Sequence, residues 1–427
     1  MKWVVERSVS RINTKIQRGY AWLATHLETY YLAVFGLYLA SVTLQTTTFN
    51  VYYPHRIGVV IELLVMGLLV IKLIGFQELT RRQIVGTAGL LALVGLVTLM
   101  AKLPYLAVTG LLVVGARGVD FCKIVRVYLV IVGGILLVAF VAAELGWIQN
   151  ITFHTTDGLR QSFGVVYTTD FAAHLFYLSC AYLYLRARRF RLVHLILPLL
   201  ALGVIYAFTK TMTDTLVMIV LLFLYVIYIY RRQLVAVKAF MVGLRYNFLT
   251  MPIVAGGILW LSTIFNYQDR GLLKLNDLLS TRLALGNNAL LAYGVKLFGQ
   301  APIPVNGWGG DRVNTFKNGM GAVTYFFIDS SYLNMLIAYG LVLTLVVVCG
   351  TSWFAYHRGQ QHDYLLPVML AVIALSSAFD QHLLEMTYNV FILAFFAKLP
   401  TYQTVIGPEF SAPAVVKFHR GQGKIGV

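Results

Sequence analysis

From Tyr30 to Lys398 the chain is a succession of apolar runs, separated by short connections that hold most of its charges. A run of roughly 20 mostly apolar residues can cross a bilayer as a helix. About twelve runs approach that length, beginning near Tyr30, Ile57, Ile84, Leu103, Ile124, Thr169, Leu192, Thr213, Thr250, Thr324, Tyr364 and Leu384. The fourth, Leu103 to Ala116, is short, and SSAFD interrupts the eleventh. In hydrocarbon, backbone groups find no partners but each other, which leaves helices or a closed barrel. A barrel needs alternating apolar and polar residues, and these runs are apolar throughout. The expected fold is therefore an all-α polytopic integral membrane protein. With 59% hydrophobic and 12% charged residues and a mean hydropathy of +0.75, a soluble chain of 427 residues would expose too much apolar surface.

The net charge of +17 does not point to nucleic acid, because the bases sit in short clusters between apolar runs. That is how a membrane protein distributes them, with the bilayer as its partner. If the N-terminal segment with Lys2, Arg7, Arg11, Lys15 and Arg18 is cytoplasmic, alternate connections hold Arg81/Arg82, Arg117/Lys123/Arg126, Arg186 to Arg191, Arg231/Arg232/Lys238/Arg245, Arg358 and the tail. Most of the 34 Lys and Arg then lie inside, and both termini are expected to be cytoplasmic. Three cysteines without C-x-x-C spacing carry no expected disulfide, and no removable signal peptide is expected. The organisation expected is a basic amphipathic segment (1–29), spans one to nine (30–265), a large outer loop (266–323), spans ten to twelve (324–399) and a basic tail (400–427). Residues 3–24 and 231–249 read as helices lying on the inner leaflet.

This topology places polar residues asymmetrically. Two outer connections have substance, Glu144 to Thr168 and Asn266 to Val323, the second containing NGWGGDRVNTFKNGMG. A connection of that length in a compact protein is usually functional. Asp277 to Gly299 reads as an amphipathic helix capped by Asn276 or Asp277. Bases on the outer side run against the topology rule, which makes Arg160, Lys210, Arg282 and Arg312 informative. Arg forks to two oxygens and Lys supplies a compact charge, so such residues suit a pyrophosphate. Asp170, Asp214, Asp329, Asp380 and Glu385 gather at the same ends of the runs, and HLLE sets His382 and Glu385 on one helical face. A carboxylate or imidazole there can take a proton from a sugar hydroxyl. Helix capping by Asp329, Ser330 or Asp170 is the competing explanation, sufficient for one such residue but less so for five. His174, four residues after Asp170, reads as a packed or hydrogen-bonded histidine.

No cofactor or metal is expected. The chain has no D-x-D, no H-E-x-x-H and no phosphate-binding Gly loop followed by Lys-Ser/Thr, and His382/Glu385 and His154/Asp157 supply two ligands each.

The ordered set RQSFGVVYTTDFAAHLFYLSCAYLYLR, AFTKTMTD, TRLALGNNALLAYGVKLFGQ, DSSYLNMLIAYG and FDQHLLEMTYNVFILAF, from Arg160 to about Lys398, resembles the Wzy-type polysaccharide polymerases of Gram-positive capsule and exopolysaccharide systems, which are O-antigen polymerase-like. The resemblance implies a GT-C-like multispan glycosyltransferase of the bacterial cytoplasmic membrane, independent of metal and nucleotide sugar. Its substrate would be an oligosaccharide repeat unit on undecaprenyl pyrophosphate, and a flippase and a chain-length regulator would be its partners. Related members often carry His-Pro-Asn where this chain has Thr168-Thr169-Asp170, so no role for that histidine transfers. On this reading Arg160, Lys210 and Arg282 hold the donor pyrophosphate, with Asp170, Asp214 and Arg312 as further substrate contacts. Asp329, or His382 oriented by Glu385, activates the acceptor hydroxyl, with a slight preference for His382, whose unperturbed range lies nearer the working pH. An O-antigen-ligase-type transferase would use the same chemistry. A flippase or transporter of the lipid-linked unit would more often show internal repeats and mid-membrane polar groups, and neither is evident.

Overall fold

A computed structural model describes residues 25–155, 158–230, 244–304 and 326–400. The expectations for residues 3–24, for the tail, for Asp157, for the loop segment with Trp308, Arg312 and Lys317, and for 231–243 of the second surface segment lie outside them.

The chain is a bundle of helices. In order come α1 (Leu27–Gln45), α2 (His55–Phe76), α3 (Arg81–Ala101), α4 (Pro104–Gly115) and α5 (Phe121–Glu144). Then follow a hairpin of β1 (Thr152–Thr155) and β2 (Gly158–Gln161), α6 (Thr168–Arg186), α7 (Ile196–Val204), α8 (Met212–Tyr230) and α9 (Thr250–Ile264). After these come α10 (Arg270–Leu278), α11 (Arg282–Tyr293), the single turn α12 (Ser331–Asn334), α13 (Leu341–Gln360) and α14 (Leu365–Ser376). Eight helices among the described residues are long and apolar enough to cross a membrane, α7 reaching that length through a 3₁₀ turn before it and a π turn after it. α4 and α14 are apolar but shorter. Outward faces carry Leu63, Ile74, Val85, Leu99, Leu199 and Trp353, all exposed, as lipid contact requires.

Helix ends follow local chemistry. Thr80 and Gln83 form a reciprocal capping box on α3, which stops where Lys102 turns left-handed. Asp120 caps α5 through the N–H groups of Cys122 and Lys123, and Glu28 accepts from the Asp120 N–H, tying α5 to α1. α1 packs on α2 and α5, and α4 on α2 and α3. In the second half α8, α9, α13 and α14 pack together, and α6 joins the halves by touching α5, α8 and α14.

Three expected helices differ. The run from Thr324 does not begin as one span: α12 passes into a π turn (Met335–Tyr339), the chain breaks at Gly340 (φ 92°), and the long helix starts at Leu341. Asp277 to Gly299 is not one helix, because Ser280 and Thr281 take positive φ and separate α10 from α11. Asn276 still caps, accepting from the Ala284 N–H of α11, whereas Asp269 rather than Asp277 caps α10. The run from Leu384 is not an α-helix. After α14 the chain forms 3₁₀ turns at His382–Leu384 and Val390–Phe395, almost wholly buried. Non-helical backbone at membrane depth survives only inside protein, and side chains supply its partners. The Tyr128 hydroxyl donates to the Tyr388 carbonyl (2.6 Å), Asn389 Nδ2 donates to the Leu383 carbonyl (2.8 Å), and Asn389 Oδ1 accepts from the Phe391 N–H (3.1 Å).

Candidate functional site

The start of α6, the start of α8, the start of α12 and the end of α14 meet at one end of the bundle, beside the β-hairpin and α11. Each brings a polar residue there.

The hairpin places Arg160 opposite Phe153, and Arg160 Nε donates to the Thr209 carbonyl at 2.6 Å. That carbonyl ends the π turn Ile205–Thr209, a wide turn that leaves acceptors unused by the helix. Lys210 follows in left-handed conformation (φ 52°) and its ammonium rests against Gly158, where a Cβ would lie 2.5 Å from Nζ. Gly158, at φ 107°, is required by its backbone conformation, and a side chain there would displace the Lys210 ammonium.

Arg282 opens α11 and is buried, 7% exposed. Nε donates to the Phe379 carbonyl (2.8 Å) and Nη1 to the Leu279 carbonyl (3.3 Å), while Nε lies 4.0 Å from Asp329 Oδ2. These contacts engage only part of a five-donor fork. Asp329 lies outside the apolar helices, ahead of α12. Burial pushes its carboxyl up, the Arg282 guanidinium pulls it back, and the balance stands at about 6.

His382 also lies outside the apolar helices. Its Nδ1 meets Glu385 Oε2 at 3.0 Å and its Nε2 lies 3.7 Å from Asp170 Oδ1. The pairing expected from HLLE is present, made by a 3₁₀ turn rather than an α-helix. Burial opposes the imidazolium, but the Glu385 and Asp170 carboxylates outweigh it and hold the ring well above the usual histidine range. The ring stacks on Tyr388 (3.6 Å between centroids, 18° between planes), and His174 stacks on the other face of the group (4.1 Å from Tyr388, 20°). His174 is fully buried, with Nε2 3.1 Å from the Thr46 hydroxyl, a packed histidine as expected.

Helix capping does not explain the acidic residues. Neither α6 nor α12 has a side-chain cap. Ser330 and Ser331 instead secure the chain after α14. The Ser331 N–H reaches the Ser377 and Asp380 carbonyls (2.9 and 3.0 Å), its hydroxyl donates to the Asp380 carbonyl, and the same oxygen accepts from the Leu383 N–H (3.2 Å). Asp380 takes a hydrogen bond from Ser376 (3.2 Å) and lies within hydrogen-bonding reach of the buried Asp214.

One residue that sequence reading missed stands at the centre. The Tyr167 phenol, just ahead of α6, feels the charges of Arg160, Asp329, Asp170 and Arg282 together. Nothing distinguishes it in sequence from 25 other tyrosines. A second missed group adjoins Glu385, whose charge reaches Tyr38, Tyr105 and Tyr339. The Tyr105 and Tyr339 hydroxyls bond to each other and Asn334 Nδ2 donates to Tyr339 (3.2 Å). The structure therefore gathers Arg160, Lys210, Asp170, Asp214, Arg282, Asp329, His382 and Glu385 at one end of the bundle. Among the described residues no three His, Cys, Asp or Glu side chains converge as metal ligands. The chain matches no protein-family model, no curated protein and no solved structure.

Proposed function

We propose that the protein is a polysaccharide polymerase of the Wzy type, joining lipid-pyrophosphate-linked oligosaccharide repeat units at the outer face of a bacterial cytoplasmic membrane. The reading rests on the convergence of three bases with Asp170, Asp329, His382 and Glu385 around Tyr167, at one end of an apolar helical bundle. Sequence alone had scattered these residues over more than 200 positions.

The reaction moves the growing chain from its carrier to a sugar hydroxyl of a new unit. The acceptor oxygen bonds to the anomeric carbon as the bond from that carbon to the pyrophosphate oxygen breaks, and the hydroxyl proton must go to a base. Arg282, Arg160 and Lys210 face the pyrophosphate and stabilise the charge left on it. Asp329 is the stronger candidate for the base. Near neutral pH a carboxyl at about 6 is ionised yet basic enough to receive a proton. His382, held as a cation between two carboxylates, has no free basic nitrogen and serves to position Asp170 and Glu385. Twelve membrane passes with both termini inside, a GT-C-like arrangement, and a flippase and chain-length regulator as partners belong to the same proposal.

The test is elongation of a short lipid-pyrophosphate-linked repeat unit by purified protein in EDTA, with products resolved by size. A ladder from wild type, lost in Arg282→Ala and in Asp329→Asn at unchanged thermal stability, supports the reading. Absence of elongation with the cognate substrate rejects it in favour of a ligase or a transporter.

A further inference from the structure

A groove of about 510 Å³ runs along the bundle between α3 and α4 on one side and α13, α14 and the buried C-terminal stretch on the other. Its walls are apolar, with Val94, Gly110, Val347, Trp353, Leu384 and Phe396 among them. Val346 and Trp353 are 40% and 65% exposed, so the groove opens sideways between transmembrane helices rather than toward water. Hydrocarbon can enter from that side without crossing a polar surface.

The end away from the acidic and basic cluster holds one charged lining residue, Arg117, just after α4. A cation after a helix C-terminus normally serves the last carbonyls. Here Lys72 does that work from α2, donating to the Gly115 carbonyl (2.6 Å) and to the Arg117 carbonyl (3.3 Å). The Arg117 guanidinium is left over. It lies over the Phe396 ring at 5.3 Å, makes no hydrogen bond or ion pair among the described residues, and its Nη1 is buried without a partner. An unsatisfied charged donor beside an apolar channel costs free energy unless something pairs with it. Lys72, buried close by, adds to the positive potential.

We propose that this groove is a binding site for an anionic membrane phospholipid, its phosphate paired with Arg117 and an acyl chain lying along the groove toward Leu384. The headgroup then sits in the leaflet opposite the polar site, and the chain end packs next to Leu383 and Leu384, which adjoin His382 and Glu385. Charge complementarity favours a phosphate over a second copy of the chain, and the position of Arg117, the only charged lining residue among the described residues, favours a lipid of the opposite leaflet over the tail of a lipid headed by the Arg282 site. The site is separate from the proposed polymerase chemistry and does not depend on it.

The experiment is native mass spectrometry of delipidated full-length protein titrated with phosphatidylglycerol or phosphatidylcholine. Wild type should retain phosphatidylglycerol at least about tenfold more tightly, because both lipids offer a phosphate but the choline of phosphatidylcholine brings its own cation up to Arg117 and competes for the same anion. Arg117→Gln should abolish the preference and Arg117→Lys should keep most of it. Val347→Trp, which fills the groove without touching charge, should weaken both lipids. The proposal fails if Arg117→Gln keeps the wild-type preference or if both lipids bind wild type equally. It also fails if Val347→Trp leaves lipid binding intact or instead breaks a dimer, or if a polyprenyl phosphate displaces phosphatidylglycerol in wild type and Arg117→Gln alike.

Discussion

Replacing Asp329 by Asn removes a base while keeping the shape of the side chain. General base catalysis by a positioned carboxylate contributes about 10²- to 10⁴-fold, and turnover should fall by that factor with little change in substrate affinity. The pH profile carries more information. With Asp329 at about 6 and the base required ionised, the wild-type rate should rise as pH increases through about 6 and level off above it. Asp329→Asn should lose that limb. Arg282 pulls the Asp329 carboxyl down from 4.0 Å away, and a cation at that distance commonly accounts for about one to three pKa units. Arg282→Gln should therefore move the limb upward, into the range of about 7 to 9, in addition to weakening the donor. Initial rates of elongation from pH 5 to 9 with saturating lipid-linked substrate measure all three profiles. The reasoning is refuted if Asp329→Asn keeps the acidic limb, or if Arg282→Gln shifts it to lower pH.

Other residues give separate outcomes. His382→Gln leaves Asp170 and Glu385 without their shared cation and removes the stack on Tyr388, and breaking such a buried pair costs about 3–5 kcal/mol; thermal unfolding in detergent should show it, and Glu385→Gln added to His382→Gln should cost less than the two singles combined. Ser331→Ala should destabilise by about 1–3 kcal/mol, because the Leu383 N–H loses a buried acceptor, while turnover per folded molecule stays near wild type, unlike Asp329→Asn. Gly158→Ala forces a side chain into φ 107° and onto the Lys210 ammonium. It should raise KM for the lipid-linked donor more than it lowers kcat.

Helix placement was legible because each apolar run reports its own burial: Leu27–Gln45, His55–Phe76 and Arg81–Ala101 begin within a few residues of the runs that predict them. It failed where a run is apolar because it lies inside the protein rather than in lipid. The stretch from Leu384 to Phe396 has the composition of a span, but Tyr128 from α5 and its own Asn389 side chain pair with backbone groups there, so no helix is needed. Composition cannot tell those two environments apart. The break at Ser280–Thr281 was hidden for a related reason, since nothing in STRLALGNN marks a left-handed pair whose reward, the seating of Arg282 on the Phe379 carbonyl, is 97 residues away.

The same distinction governs the site. Ionisable residues near apolar runs were readable singly, because each is costly there and needs a reason. Their roles were not, because role depends on who the neighbour is. In sequence both Asp329 and His382 are candidate bases, with a slight preference for His382, which has the more suitable unperturbed range. In the fold the preference reverses. His382 has two carboxylates and is held charged; Asp329 has one guanidinium and a desolvating wall, and its carboxyl is raised to about 6. A base is chosen by the imbalance between burial and compensation, and that imbalance exists only after α11, α12 and the buried C-terminal stretch have met.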